Sequence, residues 1–358
     1  MYIKSINGLR AVAILLVIFS HLNRAPRVPA WLHEVLGFTN YGTLGVRLFF
    51  LLSGFLITTL LLRERRQNGY VSIRKFFMRR VLRIFPCFYA YLLALFILGQ
   101  LGVLDVSRNA VFYAMLYIQN FNIFQNHALF ENSWVVEHSW SLSVEEQFYL
   151  LYPFIFKFLL AKRLPEPLLF FAGAVLVSTA FRALNYSYPE LSRMTGGSFI
   201  MHADFLVYGC GIALFYPSFQ KLLMGKPKKY KNVFAVTAIF SAILAAKVEY
   251  NSGVLIMGAG AVILLCLFYI LLYVIFYTEG LVGRLLETKP FIFAGKLSYS
   301  IYVWQQLFLG SHGLWLRSKF LAAFPYNLLM IALCALLSYY LIEKPFLRIK
   351  IRYAAVKG

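Results

Sequence analysis

Gly8-Leu-Arg-Ala-Val-Ala-Ile-Leu-Leu-Val-Ile-Phe-Ser-His-Leu22 is the stretch that decides the fold. It is apolar except for Arg10, Ser20 and His21. An ionisable side chain in lipid costs roughly 2.5–3.5 kcal/mol even on a forgiving insertion scale, so it tends to be kept for a function. Arg10 and His21 stand eleven positions apart, a helical rise of about 16 Å and nearly three turns, so they project from almost the same face. A cation near one membrane surface and an imidazole near the other point to a polar path through the protein. The plainer alternative is an arginine that snorkels inward and a histidine hydrogen-bonded at the outer interface.

The rest of the chain repeats this character. Of 358 residues, 61% are hydrophobic, and the mean hydropathy is +0.70. Several runs approach the ~20 apolar residues needed to cross a bilayer. They are continuous rather than alternating, which excludes a β-barrel. The expected class is an all-α, polytopic integral membrane bundle. The net charge of +21 is carried between apolar spans, the mark of cytoplasmic loops and anionic lipid rather than nucleic acid. Cys87, Cys210, Cys266 and Cys334 lie in apolar segments with no paired or metal-ligand spacing, so neither a disulfide nor a metal site is expected. Residues 1–7 make no convincing cleaved leader, and the first span is expected to remain as an anchor.

Charge sets the topology. Arg63, Arg65, Arg66, Arg74, Lys75, Arg79, Arg80 and Arg83 crowd between two apolar runs. Further basic clusters are Lys157/Lys162/Arg163, Lys221/Lys226/Lys228/Lys229/Lys231, Arg284/Lys289/Lys296 and Lys344/Arg348/Lys350/Arg352/Lys357. Spans near 6–23, 43–62, 85–103, 140–160, 165–183, 199–217, 231–249, 253–278, 294–313 and 325–343 put every cluster inside, with both termini cytoplasmic. The stretch 110–124 is left over. It is short and contains Gln119, Asn120 and Asn122, so it reads as a re-entrant or interfacial helix buried in protein. Arg317 and Lys319, on an outer loop, are the exception. No internal repeat or long linker is present. Residues 1–345 read as one transmembrane domain, and 346–358 as a short basic tail.

Four groups of residues are candidates for chemistry. Arg10 with His21 is the first. The second is Trp140-Ser-Leu-Ser-Val-Glu-Glu-Gln-Phe-Tyr149, with Glu145 and Glu146 about two turns inside the outer end of the fourth span. A carboxylate beside His21 would fix its tautomer, the usual preparation of a general base; alternatively the glutamates only favour a helix N-terminus. Arg79, Arg80 and Arg83 form the third group; their guanidinium forks suit phosphate, or they touch lipid headgroups. The fourth is a set of single polar residues in outer halves of spans, Arg47, Ser53 and Asp204. Arg47 and Asp204 are expected to pair with each other or with the glutamates. Glu343 is expected to close the last span and pair locally. There is no glycine-rich phosphate loop and no Gly-x-Ser-x-Gly elbow.

These residues resemble the membrane-bound acyltransferase family 3 over nearly the whole chain. The elements that carry the resemblance are Arg10 with His21, Phe49-Phe-Leu-Leu-Ser-Gly-Phe-Leu-Ile57, Arg80-Val-Leu-Arg83, the block 140–149, Leu297-Ser-Tyr-Ser-Ile-Tyr-Val-Trp304 and Ile342-Glu-Lys-Pro345. They occur in order and at matching topology. The chain departs from the pattern at Gln305-Gln306-Leu307, where many members have His-Gln-Pro, and at His202, where an arginine is common. The resemblance implies a bacterial inner-membrane O-acyltransferase that takes an acyl group from cytoplasmic acyl-CoA, usually acetyl-CoA. The acceptor hydroxyl, on a cell-surface or lipid-linked carbohydrate, is presented at the outer side. It implies that His21 is catalytic with Glu145 and Glu146 in support, and that Arg80 and Arg83 hold donor phosphates, with Arg79 beside them and Arg10 along the path. Ser53, Arg47 and Asp204 remain for the substrate. Some members carry a further esterase-like domain; here the chain stops soon after Glu343, so a second transfer step is expected to need another protein. Two rivals stay open: a secondary transporter of a small acidic solute with a His/Glu proton relay, and an acyltransferase with a small cytoplasmic acceptor.

Overall fold

The structure is a computed structural model, and it describes residues 3–121, 134–161, 167–188, 199–223, 228–251, 256–277, 279–309 and 320–353. Arg317 and Lys319, part of 110–124, Lys162, Arg163, Lys226 and the end of the tail lie outside the described residues. Among the described residues the α-helices follow in the order α1 Lys4–Leu22, α2 Ala30–Leu36, α3 Tyr41–Asn68, α4 Ile73–Gln100, α5 Arg108–Met115, α6 Trp134–Glu137, α7 Ser139–Ala161, α8 Pro167–Ser187, α9 Phe199–Leu214, α10 Tyr216–Leu223, α11 Lys228–Asn251, α12 Ile256–Phe276, α13 Leu281–Leu286, α14 Lys289–Gln305, α15 Tyr326–Ser338 and α16 Lys344–Lys350. A π-turn, Tyr339–Glu343, joins the last two.

Six segments among the described residues are long and apolar enough to cross a membrane: Lys4–Leu22, Tyr41–Asn68, Ile73–Gln100, Asn232–Glu249, Ala259–Phe276 and Tyr326–Tyr353. The remaining four expected spans also fall on helices, α7, α8, α9 and α14, but each is short or interrupted by charge. Helix α7 carries Glu145, Glu146 and Lys157, and α14 has 17 residues. The stretch expected to be re-entrant begins as α5, eight residues long. That is a rise of only about 12 Å. Gln119 and Asn120 are buried, Asn122 lies outside the described residues, and Asn120 and Gln147 exchange amide hydrogen bonds of 3.0 and 2.8 Å, with Gln147 also donating to the Tyr117 carbonyl.

Close helix packing rests on missing side chains. Helix α3 lies against α9, and a Cβ on Gly54 would stand 2.0 Å from the Leu206 carbonyl oxygen, one on Gly209 2.0 Å from that of Leu51. The same holds where α14 crosses α1, at Gly295 against Asn7. In lipid, where apolar burial offers no drive between helices, such backbone approach gives the contact its van der Waals energy.

Ion pairs tie helices together. Arg47 of α3 forks onto Glu249 of α11 at 2.5 and 2.6 Å. Arg182 of α8 donates to Asp204 of α9 at 2.5 Å, and Arg79 of α4 to Glu64 of α3 at 2.6 Å. Arg47 and Asp204 therefore pair neither with each other nor with Glu145 or Glu146. Their partners lie on elements that sequence spacing does not bring near. Glu343 is buried at the end of the π-turn and accepts from Ser300 Oγ at 2.8 Å.

Detergent thermostability measurements test these contacts. Gly54→Leu should destabilise the fold by about 3 kcal/mol or more through overpacking. Gly173→Ala, with nothing within 4 Å of the added carbon, should be neutral or slightly stabilising. Glu249→Gln should cost a few kcal/mol, because it leaves the Arg47 charge without its partner, whereas the double replacement Arg47→Met with Glu249→Leu should recover most of the loss.

Candidate active site

A cavity of about 630 Å³ lies between α1, α3, α4, α7 and α14. Along α3 its wall runs from Val46 to Arg66, a rise of about 30 Å. That matches the thickness of a hydrocarbon core. One end is strongly basic: Arg63 and Arg66 from α3, Arg80 and Arg83 from α4, and Lys350 from α16 all line it. Arg80 and Arg83 share a face because they are three residues apart on one helix. The Arg80 guanidinium lies over the rings of Tyr149 and Phe76, 5.3 and 5.8 Å from their centres, and its Nε is buried without a hydrogen-bond partner.

Midway along the cavity stand Arg10, Ser53, Glu145 and Tyr149. Ser53 Oγ donates to one Glu145 oxygen at 2.7 Å and the Tyr149 hydroxyl to the other at 3.1 Å. Tyr149 is one turn from Glu145 on α7, so the block 140–149 supplies both the carboxylate and one of its donors. Arg10 shares its electrostatic surroundings with Arg83, Glu343 and Glu145. Glu146 does not line the cavity, and its Oε1 is buried with no hydrogen-bond partner. Adjacent residues on a helix are about 100° apart, so a cavity that takes one glutamate turns away from the other.

The far end is formed by Val46, Phe49, Ser141 and Tyr302. Here the Tyr302 hydroxyl bonds Ser141 Oγ at 2.5 Å and donates to the His138 carbonyl at 2.9 Å. His21 is just beyond this wall. Tyr302 faces the cavity, and Gln305, one turn further along α14, sits against the His21 ring. The imidazole packs edge-on to Trp134 at 5.9 Å, with Arg24 over the other side of that indole. His21 Nδ1 is buried without a partner, and so are both amide atoms of Gln305, both ring nitrogens of His138 and Nε1 of Trp304. These polar groups are gathered against one another: Gln305 and the Val17 backbone act on His21, and the Val303 backbone acts on His138.

The sequence-derived candidates thus fall into three places. Arg10, Ser53, Glu145, Arg80 and Arg83 come together on the cavity. His21 does not line the cavity; Gln305, one turn beyond Tyr302 on α14, lies against its ring. Among the described residues no glutamate acts on it, and the charge in its surroundings is Arg24. Arg47, Asp204 and Arg79 are each engaged in an ion pair. Arg63, Arg66, Lys350, Ser141, Tyr302 and His138 were not among the expected site residues. The first three are visible in sequence only as loop and tail charge. Tyr302 and Ser141 do fall inside recognisable blocks, which is the signal that marks them. Among the described residues no group of three or more His, Cys, Asp or Glu side chains is placed to hold a metal ion.

The chain is similar to the peptidoglycan O-acetyltransferase OatA of Listeria monocytogenes, 29% identical over 316 residues that cover 85% of this chain and 49% of that protein. It is similar to a putative O-acetyltransferase of Staphylococcus aureus at 28% identity, covering 85% and 50%. The O-acetyltransferase OatA of the same species is 27% identical over 374 residues, 96% of this chain and 57% of the other. The chain spans about half the length of these relatives. No solved structure matches it. The family model described as an acyltransferase domain matches residues 3–343, nearly everything from the first helix to the buried Glu343, and the chain belongs to that acyltransferase family 3.

Proposed function

We propose that this chain is an integral membrane O-acyltransferase that moves an acyl group, acetyl by analogy with its relatives, from acyl-CoA to a hydroxyl of a carbohydrate acceptor. The observation that carries the reading is the cavity, which begins at a cluster of arginines and ends at Tyr302, one helical turn along α14 from the Gln305 that lies against a buried imidazole. Such a shape suits a donor with a phosphate-bearing head and a long flexible arm. Arg80 and Arg83, with Arg63 and Arg66 nearby, hold the phosphates. The arm lies along Arg10, Ser53 and Glu145. The thioester passes Tyr302 and Ser141, whose side chains must swing aside, to reach His21.

At that point His21 takes the proton from the acceptor hydroxyl as the oxygen attacks the thioester carbonyl. The carbon–sulfur bond breaks, and the departing thiolate recovers the proton from the imidazolium. A transient acyl-imidazole, formed and then broken by the acceptor oxygen, uses the same atoms. Gln305 and His138, rather than Glu145, are the groups close enough to orient the ring. Glu145 instead balances Arg10 and Arg80 along the path, while Arg47 and Asp204 hold the surrounding helices.

The membrane is proposed to be a bacterial plasma membrane crossed ten times, with the basic cavity end and both termini in the cytoplasm. A polysaccharide, peptidoglycan or lipid-linked sugar then approaches His21 from outside. Residues 1–345 form the body of the catalytic unit, and Lys350 beyond it adds to the basic end of the cavity.

In proteoliposomes supplied with radiolabelled acetyl-CoA and peptidoglycan fragments, wild type is expected to acetylate the fragments. His21→Ala, shown to be monodisperse, should lose a factor of at least about a hundred. Full retention contradicts the reading, and solute flux without acetyl-CoA turnover replaces it with transport. Arg80→Ala with Arg83→Ala should raise the KM for acetyl-CoA by at least about tenfold.

A further inference from the structure

The basic end of the cavity has a wall that the sequence presents only as tail. After the π-turn Tyr339–Glu343 the chain continues as α16, which packs on α4 and brings Lys350 to the cavity lining. Lys350 lies seven residues, two turns, beyond the buried Glu343. Four cations, Arg83, Arg80, Arg79 and Arg10, act on it, against the buried Glu343 carboxylate that it shares with Arg83 and Arg10. Among the residues that line the cavity Glu145 is the one carboxylate, and Ser53 and Tyr149 already hold it. Several like charges around one partly desolvated space repel by several kcal/mol. The arrangement is favourable when a polyanion with more than one phosphate fills it.

Arg79 has a different task from its neighbours. Its Nη2 donates to Glu64, which also accepts the Ser72 amide, and its Nη1 donates to the Tyr353 carbonyl at 3.0 Å. It thereby ties the end of the segment that follows α16 to the α3–α4 turn. Arg79 and Arg80 are adjacent, so they point about 100° apart: one fastens the tail, the other faces the cavity.

We infer that Lys350 is a ligand of the donor's nucleotide phosphates, and that Arg79 is the positioning residue that holds the C-terminal helix against the cavity mouth so that Lys350 can reach them. This rests on the acyl-CoA reading proposed above. It turns the element after the last span from a lipid-facing tail into the third wall of the donor site.

The test is calorimetric binding of CoA and of pantetheine, which has no phosphate, to the purified full chain in a neutral detergent. Lys350→Gln is expected to weaken CoA binding about tenfold and to leave pantetheine affinity as in wild type. Lys350→Arg is expected to keep CoA affinity within about threefold, because it restores the charge. CoA binding to Lys350→Gln at wild-type strength overturns the inference. So does equal loss in the glutamine and arginine variants, which assigns Lys350 a purely structural part. Phosphatidylglycerol added to the micelles is expected not to compete with CoA; competition that vanishes in Lys350→Gln makes the site one for a lipid headgroup and overturns it too. Wild type that binds no CoA is a separate result, which removes the acyl-CoA reading itself.

Discussion

A charge inside an apolar bundle must be paired, hydrated or met by a ligand, since the alternative costs several kcal/mol. Three arginines of this chain satisfy that demand with a carboxylate on another helix: Arg47 with Glu249, Arg182 with Asp204 and Arg79 with Glu64. Each pair joins two helices that the apolar surfaces alone would let slide. On the cavity the cations are gathered together: Arg10, Arg63, Arg66, Arg80, Arg83 and Lys350 line one space whose lining includes the carboxylate Glu145, with Glu343 acting on Arg83, Arg10 and Lys350 from behind it. The excess of positive charge there is what gives the cavity its chemical meaning. A neutral solute would gain nothing from it, and a polyanionic head would gain most.

The cavity also divides its labour along its length. Arginines and a lysine occupy one end, a hydrogen-bonded carboxylate the middle, and a tyrosine–serine contact the far end. Beyond that contact Gln305, one turn past Tyr302 on α14, lies against His21. On the acyltransferase reading proposed above, a thioester arm must displace the contact to pass.

Much of this was legible before any coordinates. The apolar runs gave helices at every expected span, although six segments rather than ten meet the requirements of length and composition for crossing. Arg10, Ser53, Glu145, Arg80 and Arg83 were singled out by type and spacing, and they meet on one cavity. What spacing along a chain cannot supply is which faces of distant helices meet. Glu249 is 202 positions from Arg47, so that pair was invisible. The depth of Glu145 on α7 was readable, but the level of His21 against α7 depends on how α1, α7 and α14 stagger. Gln305 was noticed only as a departure from a motif, and becomes informative once it lies against the ring. Lys350 looked like inner-leaflet charge because the π-turn that aims α16 at the cavity has no sequence signature of its own.

The central claim is that a thioester held at the basic end reaches His21. An electron cryomicroscopy structure of the full chain with acetyl-CoA and inactivated by His21→Asn tests it most directly. The account predicts phosphate density between Arg80, Arg83 and Lys350, a displaced Tyr302, and the thioester carbonyl within about 3.5 Å of residue 21. Density that places the thioester at the arginines, or leaves it beside Glu145 with the Tyr302–Ser141 contact intact, contradicts it.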